Sequence, residues 1–451
     1  MLAKNLDVSC SSVRQVAQDI LVRVERGREY ADALLARALH KHALPAKDRA
    51  LLLELVNGTL RWRGQLDWIL RRFFRGDFDA APLSLKTILR LGMYQLRFLD
   101  RVPDYAVVSE AVSQAKRAGN PRWASLVNGV LRTYLREADK LTFPSLKDDA
   151  VAALAVQHSH PEWMLSRWVA RFGVEDTLQL CKFNNSRPAV TLRVNPQKTD
   201  RDTLARRLRE LGFAPKPAAY FPDFIRVEKA QGLTETDAFK QGWFTIQDES
   251  TALATSMLQP RAGETVVDLC AAPGGKTCHV ASLMRDRGTI LAVDVRADRL
   301  TLLRENAKRL GLRSVQLVRA DGRNVCVRGA DRVLVDAPCS GLGVLARRVD
   351  LRWKRRPEEI TNVRSVQLAL LRNAISLLRV GGVLVYSTCT IEPEENEELV
   401  SAFLAEQKNV EMDAPPQEIH RTFVSNEGWV RTLPFVHKMD GGFAVRLVKT
   451  G

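Results

Sequence analysis

The chain has 451 residues, 45% of them apolar, and its 68 lysine and arginine residues outnumber 52 acidic ones, which gives a formal net charge of +16. No apolar run approaches the roughly 18 residues of a membrane span, and the first residues lack the apolar core of a signal peptide. The odd number of cysteines, seven, indicates a reducing compartment and no disulfide framework. The composition therefore excludes a membrane protein and predicts a multidomain cytoplasmic one.

The excess of positive charge favours a polyanionic partner, and nucleic acid is the commonest. A basic protein without such a partner is the alternative, and charge alone does not distinguish RNA from DNA.

The first region, residues 8–140, is predicted to be all-helical. Apolar residues recur at spacings of three and four, as one buried helix face requires. The stripes run over Val13–Val24, Leu51–Leu60, Trp68–Phe74, Leu85–Leu96, Val107–Ala115 and Leu126–Leu135. Basic residues at the helix edges are either solvated or arranged to grip a phosphate backbone. A polar linker is predicted over residues 138–149.

Residues 151–247 are predicted to form a small α+β domain. Its strands and helix are expected at Val190–Asn195, Asp202–Leu211, Phe224–Val227 and Trp243–Gln247. Arginines and aromatic residues suit RNA docking, and a plain packing subdomain is the alternative. His158 and His160 have no acidic or cysteine partner at ligand spacing, so no metal site is predicted.

From residue 248 to residue 451 the pattern is that of an α/β, doubly wound, Rossmann-like domain. Short apolar strands alternate with helical stretches, which indicates a parallel sheet covered on both faces. The strands are expected at Thr265–Leu269, Thr289–Asp294, Val315–Val318, Arg332–Asp336, Val383–Ser387 and Phe443–Val448. Ligands in such sheets bind beyond the carboxyl ends of the strands.

The stretch Thr265–Thr277, TVVDLCAAPGGKT, reads as a buried strand, a glycine loop and the start of a helix. Such a loop presents backbone N–H groups to a ligand. A dinucleotide loop would need G-x-G-x-x-G, and only Gly274 and Gly275 are present. A P-loop would need a glycine where Cys270 stands. Both phosphate-binding interpretations are therefore weak.

Two carboxylates follow the next two strands. Asp294 is placed to accept both hydroxyls of a ribose, and Asp321 to reach the edge of an adenine. Each aspartate alone is more often a helix cap or a turn former. Together with the loop they indicate a nucleoside-containing cofactor without a pyrophosphate. S-adenosylmethionine fits, because its cationic sulfonium tolerates carboxylates and needs no anion site.

Two cysteines end later strands, in Asp336-Ala337-Pro338-Cys339 and in Ser387-Thr388-Cys389. A buried cysteine is ordinarily an inert small hydrophobe. Two of them at the open edge of the sheet that holds the cofactor suit the addition of a thiolate to an electrophilic carbon beside a methyl donor. A nearby cation such as Lys276 would favour the thiolate.

The strings DLCAAPGGKT, DAPCSGLG and YSTCT, with Pro393-Glu394-Glu395-Asn396 behind them, resemble RNA (cytosine-5)-methyltransferases. The helical region, with VNG at residues 56–58 and VNGVLR at residues 127–132, is similar to the antitermination-protein-type (NusB-type) RNA-binding domain. That domain is fused to one bacterial branch of the family, which modifies 16S ribosomal RNA.

The resemblance implies methyl transfer from S-adenosylmethionine to C5 of a cytosine in 16S ribosomal RNA, at a cytosine-967-type site. It implies a covalent bond from Cys389 to C6 and assistance by Cys339 in product release; the residues alone do not rank the two thiols. Asp336 is expected to hydrogen-bond the reacting base. The implied contacts to the cofactor or the base are Cys270, Ala271, Ala272, Pro273, Gly274, Gly275, Lys276, Asp294, Asp321 and Asp336.

A basic run follows the first cysteine motif. Where many relatives carry Arg-Arg-His-Pro-Asp, this chain has RRVD at residues 347–350, which bears on the fine contacts of the loop. The run is expected to clamp the RNA backbone beside the target base, with a solvated helix start as the alternative. The predicted RNA contacts are Arg347, Arg348, Arg352, Lys354 and Arg355.

The expected partner is 16S ribosomal RNA, with no obligate protein partner and a monomeric chain. Two alternatives stay open. One is cytosine-5 methylation of transfer RNA, and the other is a non-catalytic RNA-binding factor of ribosome assembly.

Overall fold

The computed structural model describes residues 13–27, 29–42 and 44–451. The predicted start of the first domain, residue 8, lies outside these residues. The chain forms two compact units. The first comprises the residues up to Asn185 together with Arg347–Lys354, and the second comprises Ser186–Ala346 and Arg355–Gly451.

The helices of the described chain are, in order, α1 Val13–Glu25, α2 Ala31–Lys41, α3 Ala46–Phe73, α4 Leu83–Phe98, α5 Asp104–Arg117, α6 Pro121–Glu137, α7 Ala150–His158, α8 Glu162–Asn185, α9 Arg201–Glu210, α10 Asp237–Lys240, α11 Ala252–Leu258, α12 Gly275–Leu283, α13 Ala297–Leu310, α14 Leu351–Lys354, α15 Pro357–Leu377, α16 Glu397–Glu406 and α17 Pro434–His437. The strands are β1 Val190–Val194, β2 Pro215–Pro217, β3 Phe224–Val227, β4 Phe244–Ile246, β5 Thr265–Asp268, β6 Thr289–Asp294, β7 Val315–Arg319, β8 Ala330–Asp336, β9 Leu378–Thr388, β10 Val410–Met412, β11 Val430–Thr432 and β12 Gly442–Lys449.

The first unit is built around the long helix α3, whose apolar stripe is buried against α1 and α4. The helices approach closely at Gly58, where a Cβ atom would lie 2.0 Å from the Tyr94 ring. This close approach explains the glycine of the VNG string. A buried ion network completes the contact, because Arg90 binds Asp67 through two hydrogen bonds of 2.5 and 2.8 Å and also pairs with Glu25.

The first unit extends further along the chain than the predicted boundary near residue 150. Helices α7 and α8 belong to it, and Gly64 of α3 donates its N–H to Ser159 Oγ at 2.8 Å. The predicted linker contributes to the core as well, since Phe143 stacks on Trp68 with ring centroids 4.9 Å apart. The sequence carries no local signal for these contacts, because they join residues 75 to 95 positions apart.

The second unit contains two sheets. The smaller one is antiparallel with strand order β2-β3-β1-β4, and α9 packs on it through Leu204 and Leu208. These strands match the predicted middle region, but they lie in the same compact unit as the larger sheet and not in a separate one.

The larger sheet has the strand order β10-β12-β9-β8-β5-β6-β7, with β11 paired to β12. Strands β5 to β9 are mutually parallel. The last strand departs from the prediction of a parallel sheet. Phe443 at the start of β12 pairs with Thr388 at the end of β9, so β12 runs antiparallel. The predicted fold class, an all-helical region, a small α+β region and a Rossmann-like domain, is confirmed.

In the described part of the chain, no helix combines the length and the apolarity that crossing a membrane requires.

Candidate active site

The glycine loop joins β5 to α12, as predicted, although β5 ends one residue earlier, at Asp268. Thr277 Oγ1 donates to Asp268 Oδ2 at 2.7 Å and ties the two ends of the loop together. Burial raises the pKa of Asp268 to about 7. Gly274 has a φ of +101°, and a Cβ atom there would lie 2.5 Å from Leu303 Cγ. Both constraints require glycine at this position.

The two predicted ribose and adenine carboxylates lie at the ends of neighbouring strands. Asp294, 7% exposed at the end of β6, accepts the N–H of Ala272 at 3.2 Å and that of Arg296 at 2.8 Å. Asp321 follows β7 and binds the guanidinium and the N–H of Arg323. These hydrogen bonds hold the pKa of Asp321 below its usual range. The structure thus brings Asp294 directly against the glycine loop.

Asp336 ends β8, the strand on the other side of β5. Its Oδ2 accepts from Lys276 Nζ at 2.7 Å and its Oδ1 from Ser387 Oγ at 3.0 Å. Burial alone would lower the pKa of Lys276, but the charge of Asp336 and the hydrogen bond to it outweigh burial, and the pKa is raised. Lys276 is therefore a cation held at the edge of the sheet.

The two predicted thiols meet. Cys339 Sγ and Cys389 Sγ are 3.2 Å apart, a hydrogen-bond distance between free thiols. The hydrogen bond from Cys339 lowers the pKa of Cys389, against burial and the charge of Asp336 and with help from Lys276. The same hydrogen bond, with burial, raises the pKa of Cys339 well above its usual range. The electrostatics thus favour a Cys389 thiolate that accepts the S–H of Cys339.

Two glycines beside the thiols, Gly343 and Gly441, lie in close backbone contact that leaves no space for a Cβ atom. Gly343 donates its N–H to the Cys389 carbonyl at 3.1 Å, and Gly441 donates its N–H to the Gly343 carbonyl at 2.8 Å. A Cβ atom on Gly343 would lie 2.5 Å from the Gly441 carbonyl oxygen. Gly441, the residue before the antiparallel β12, thus packs against Gly343 beside the Cys389 carbonyl.

Further residues fix the turns that carry the thiols, and the sequence interpretation gave them no role. Glu395 binds Ser340, next to Cys339, while Asn396 accepts from Thr388 Oγ1 at 2.6 Å, next to Cys389. The only sequence signal was the position of Glu395 and Asn396 in the string that follows YSTCT.

The predicted RNA clamp is wrong for Arg352. Its side chain is 0% exposed and lies inside the first unit. The guanidinium donates to the carbonyls of Arg61, Ser159 and Asn184 at 3.0 to 3.2 Å and to Asn185 Oδ1 at 2.8 Å. Burial lowers the pKa of Arg352 to about 9. Composition alone could not distinguish this buried cation from its exposed neighbours.

Of the other four residues predicted to contact RNA, two donate hydrogen bonds to backbone carbonyls and one lies beside an aspartate. Lys354 donates to the Glu29 carbonyl at 2.7 Å, and Arg355 Nε donates to the Ser340 carbonyl at 2.7 Å, so both are engaged within their own units. Arg348 lies 3.4 Å from Asp32 and is partly exposed. RNA contact by Arg347, Arg348, Lys354 and Arg355 stays a prediction.

The carboxylates of Asp294, Asp321 and Asp336 fit S-adenosylmethionine. Carboxylates at or just beyond the ends of three strands, β6, β7 and β8, suit a cationic sulfonium and a ribose, and Lys276 and the loop complete the same edge of the sheet. The Rossmann-like fold and this edge define a methyltransferase whose cofactor is S-adenosylmethionine.

Three family models match the chain. They are described as 16S rRNA methyltransferase RsmB/F over residues 255–448, the NusB family over residues 11–136, and an RsmF/B-like ferredoxin-like domain over residues 160–234. The chain belongs to the RsmB/F family of 16S rRNA methyltransferases. The predicted resemblance is confirmed.

Relatives match over nearly their whole length. The chain is 36% identical to the "Probable ribosomal RNA small subunit methyltransferase B" of Bacillus subtilis (strain 168), over 98% of this chain and 99% of that one. It is 34% identical to the ribosomal RNA small subunit methyltransferase B of Cronobacter sakazakii, over 96% and 97%. The crystal structure of PH0851 aligns with a TM-score of 0.83 at 26% identity, over 98% and 100%. NSun6 from Pyrococcus horikoshii with SFG aligns with a TM-score of 0.58 at 26% identity, over 64% and 98%.

Proposed function

We propose that this rRNA methyltransferase acts on C5 of one cytosine of 16S ribosomal RNA, at a cytosine-967-type site, through a covalent bond between Cys389 and C6 of the base. The observation that carries the proposal is the 3.2 Å separation of Cys339 Sγ and Cys389 Sγ beside the Lys276–Asp336 pair. Methylation of a more nucleophilic atom, such as a ring nitrogen or a ribose hydroxyl, needs no thiol.

Cytosine C5 is too weak a nucleophile to take a methyl group directly. Addition of the Cys389 thiolate to C6 forms the Sγ–C6 bond and moves electron density to C5. The lowered pKa of Cys389 supports this role, because the thiolate is the reactive form. Asp336, whose Oδ1 already accepts from Ser387, is a candidate to accept hydrogen bonds from the amino group of the base and from N3, once N3 takes up a proton as negative charge develops on the ring.

The proposed cofactor contacts are the loop residues from Cys270 to Lys276 together with Asp294 and Asp321. Bound there, S-adenosylmethionine supplies an electrophilic methyl group. The target base must be unstacked to reach the edge of the sheet, and the NusB-type helices are proposed to hold the surrounding RNA.

For product release a base removes the C5 proton, the C5–H electron pair restores the C5=C6 double bond, and the Sγ–C6 bond breaks. The electron pair of that bond returns to Cys389 as a thiolate, and the S–H of Cys339 is in hydrogen-bond range to stabilise it as it leaves. The raised pKa of Cys339 keeps its proton available for this hydrogen bond. Cys389 is therefore assigned as the nucleophile and Cys339 as the residue that assists release.

Two substitutions test the assignment. Cys389→Ala is expected to abolish transfer of a radiolabelled methyl group to unmodified small-subunit RNA, while calorimetric binding of S-adenosylmethionine is kept. Full activity of this variant would refute the covalent mechanism.

Cys339→Ala is expected to accumulate a protein–RNA adduct that survives denaturing electrophoresis, because the leaving thiolate loses its hydrogen-bond donor. Normal turnover without an adduct would show that Cys339 has no part in release.

Bisulfite mapping of RNA from a strain that lacks the gene identifies the base. Loss of one 5-methylcytosine in 16S ribosomal RNA is the expected result. Loss from transfer RNA would favour the alternative substrate, and no loss at all would favour an assembly factor without catalysis.

A further inference from the structure

The carboxyl group of Glu395 is buried between the two turns that carry the thiols. Its side chain is 0% exposed, and Oε2 accepts from the N–H of Ser340 at 2.8 Å and from Gln367 Nε2 at 3.1 Å. Oε1 accepts from the hydroxyl of Ser340. The hydrogen-bond donors that the described residues offer to Glu395 are neutral groups, so the carboxyl group is held without a salt bridge.

These contacts reach both sides of the thiol pair. Ser340 follows Cys339 in the chain, and its Oγ lies 2.8 Å from Oγ1 of Thr390, which follows Cys389. Gln367 Nε2 also donates to the carbonyl of Pro338 at 2.9 Å, so the residue before Cys339 is held as well. Removal of Glu395 would release both flanks of Cys339 and one flank of Cys389.

A buried carboxyl group is costly unless its oxygens are fully hydrogen-bonded. Burial accordingly raises the pKa of Glu395, while the hydrogen bonds from Ser340 and Gln367 oppose the rise. A leucine or methionine at this position would remove the cost of burying the carboxyl group but would leave the Ser340 N–H and the Gln367 amide without this acceptor, so the carboxyl group anchors both contacts.

We propose that Glu395 is a positioning residue that sets the distance between the two thiols, and thereby holds the S–H of Cys339 in its hydrogen bond to Cys389. This role rests on the proposed function, in which Cys389 acts as a thiolate. Glu395 touches neither thiol group; it acts through Ser340 and Thr390.

Glu395→Gln is the sharpest perturbation, because it keeps the shape and exchanges one acceptor oxygen for an NH₂ group. Both oxygens of Glu395 accept from Ser340. One orientation of the new amide places its NH₂ group against the Ser340 N–H, and the other obliges the Ser340 hydroxyl to turn and accept, so either orientation disturbs the hydrogen bonds that hold the turn. The Cys339 hydrogen bond then lengthens, and Cys389 loses the largest contribution that favours its thiolate.

The test is the pH dependence of thiol alkylation in the full chain without RNA. Iodoacetamide labelling of Cys389 is followed by peptide mass spectrometry, with the exposed Cys326 as an internal reference. In Glu395→Gln the midpoint for Cys389 is expected to rise by about one pH unit, which is roughly a tenfold slower reaction at a fixed pH below the midpoint. Glu398→Gln, an exposed carboxylate in the first turn of α16, is the matched control and is expected to leave the midpoint unchanged.

A Cys389 midpoint that stays in place in a folded Glu395→Gln chain, with normal S-adenosylmethionine binding, overturns the proposal. If this variant does not fold, Ser340→Ala removes only the hydroxyl group and is expected to shift the midpoint in the same direction; an unshifted midpoint there overturns it equally. The labelling needs no RNA and no turnover. If the Cys389 midpoint rises in Glu395→Gln as expected but the unmodified chain does not methylate C5, the proposed function is refuted and the positioning role stands.

Discussion

Arg352→Met is expected to destabilise the first unit, although the residue lies in a basic run that resembles an RNA-binding surface. The guanidinium donates to three backbone carbonyls and one side-chain oxygen at 2.8 to 3.2 Å, from the end of α8, the turn after α7 and the middle of α3. Methionine fills much of the same volume but donates no hydrogen bond, so four buried oxygens lose a donor.

The magnitude follows from two opposing effects. Hydrogen bonds from a charged donor contribute about 1.5 to 3 kcal/mol each, but the substitution also removes the cost of burying a cation, several kcal/mol after relaxation. The lowered pKa of Arg352 is the sign of that cost. We therefore expect a net loss of about 3 kcal/mol, because oxygens left unpaired outweigh the relief of desolvation. For a unit of this size, such a loss lowers the melting temperature by roughly 6 to 12 °C.

The assay is differential scanning calorimetry of the full chain, in which the two units are expected to give separate contributions. Arg356→Met, at an exposed arginine four residues later, is the control and should change the melting temperature by less than about 2 °C. RNA affinity is measured in parallel at two salt concentrations. Equal melting temperatures for both variants, together with weaker RNA binding in Arg352→Met alone, would refute the structural role.

Two further substitutions probe the site. Gly274→Ala is expected to cost about 2 to 4 kcal/mol and to weaken calorimetric S-adenosylmethionine binding, because it combines a φ of +101° with a clash against Leu303. Gly263→Ala is the control, because Gly263 has a similar φ, +92°, but open space around it. An equal loss of stability there would show that the clash with Leu303 contributes nothing. Lys276→Met is expected to raise the pKa of Cys389 and move the rising limb of the pH–rate profile to higher pH, since the thiolate loses a cation and Asp336 its partner. An unchanged profile, or an equal shift in the exposed-lysine control Lys308→Met, would count against this electrostatic role.

The parts of the site that the sequence predicts are those set by local strand and loop chemistry. Asp294 and Asp336 end strands, Cys339 and Cys389 follow the ends of β8 and β9, and a parallel sheet brings the carboxyl ends of its strands to one edge. The apolar strands were therefore enough to predict that these side chains would come together. The distance between the thiols and the Lys276–Asp336 pair required the structure.

The features that the sequence did not predict depend on contacts far apart in the chain. The charge of Arg352 suggests solvent, yet its partners lie 167 to 291 positions away and have no local signature. The same reason applies to α7 and α8, which read as the start of a new domain but pack with the first one. The direction of β12 was missed because strand periodicity is the same in parallel and antiparallel sheets.

Residues 347–354 pack with the helical unit although they lie within the second half of the chain, so the two units cannot be separated by one cut in the chain. A chain that begins at Ser186 would retain these residues without the helices that bury Val349 and accept from Arg352. It would carry an orphaned apolar side chain and a cation without its acceptors, some ten residues downstream of Cys339. A chain that ends at Asn185 would have the complementary defect, an empty slot lined by carbonyl oxygens. We therefore expect each piece, expressed alone, to be less stable than the same unit in the full chain.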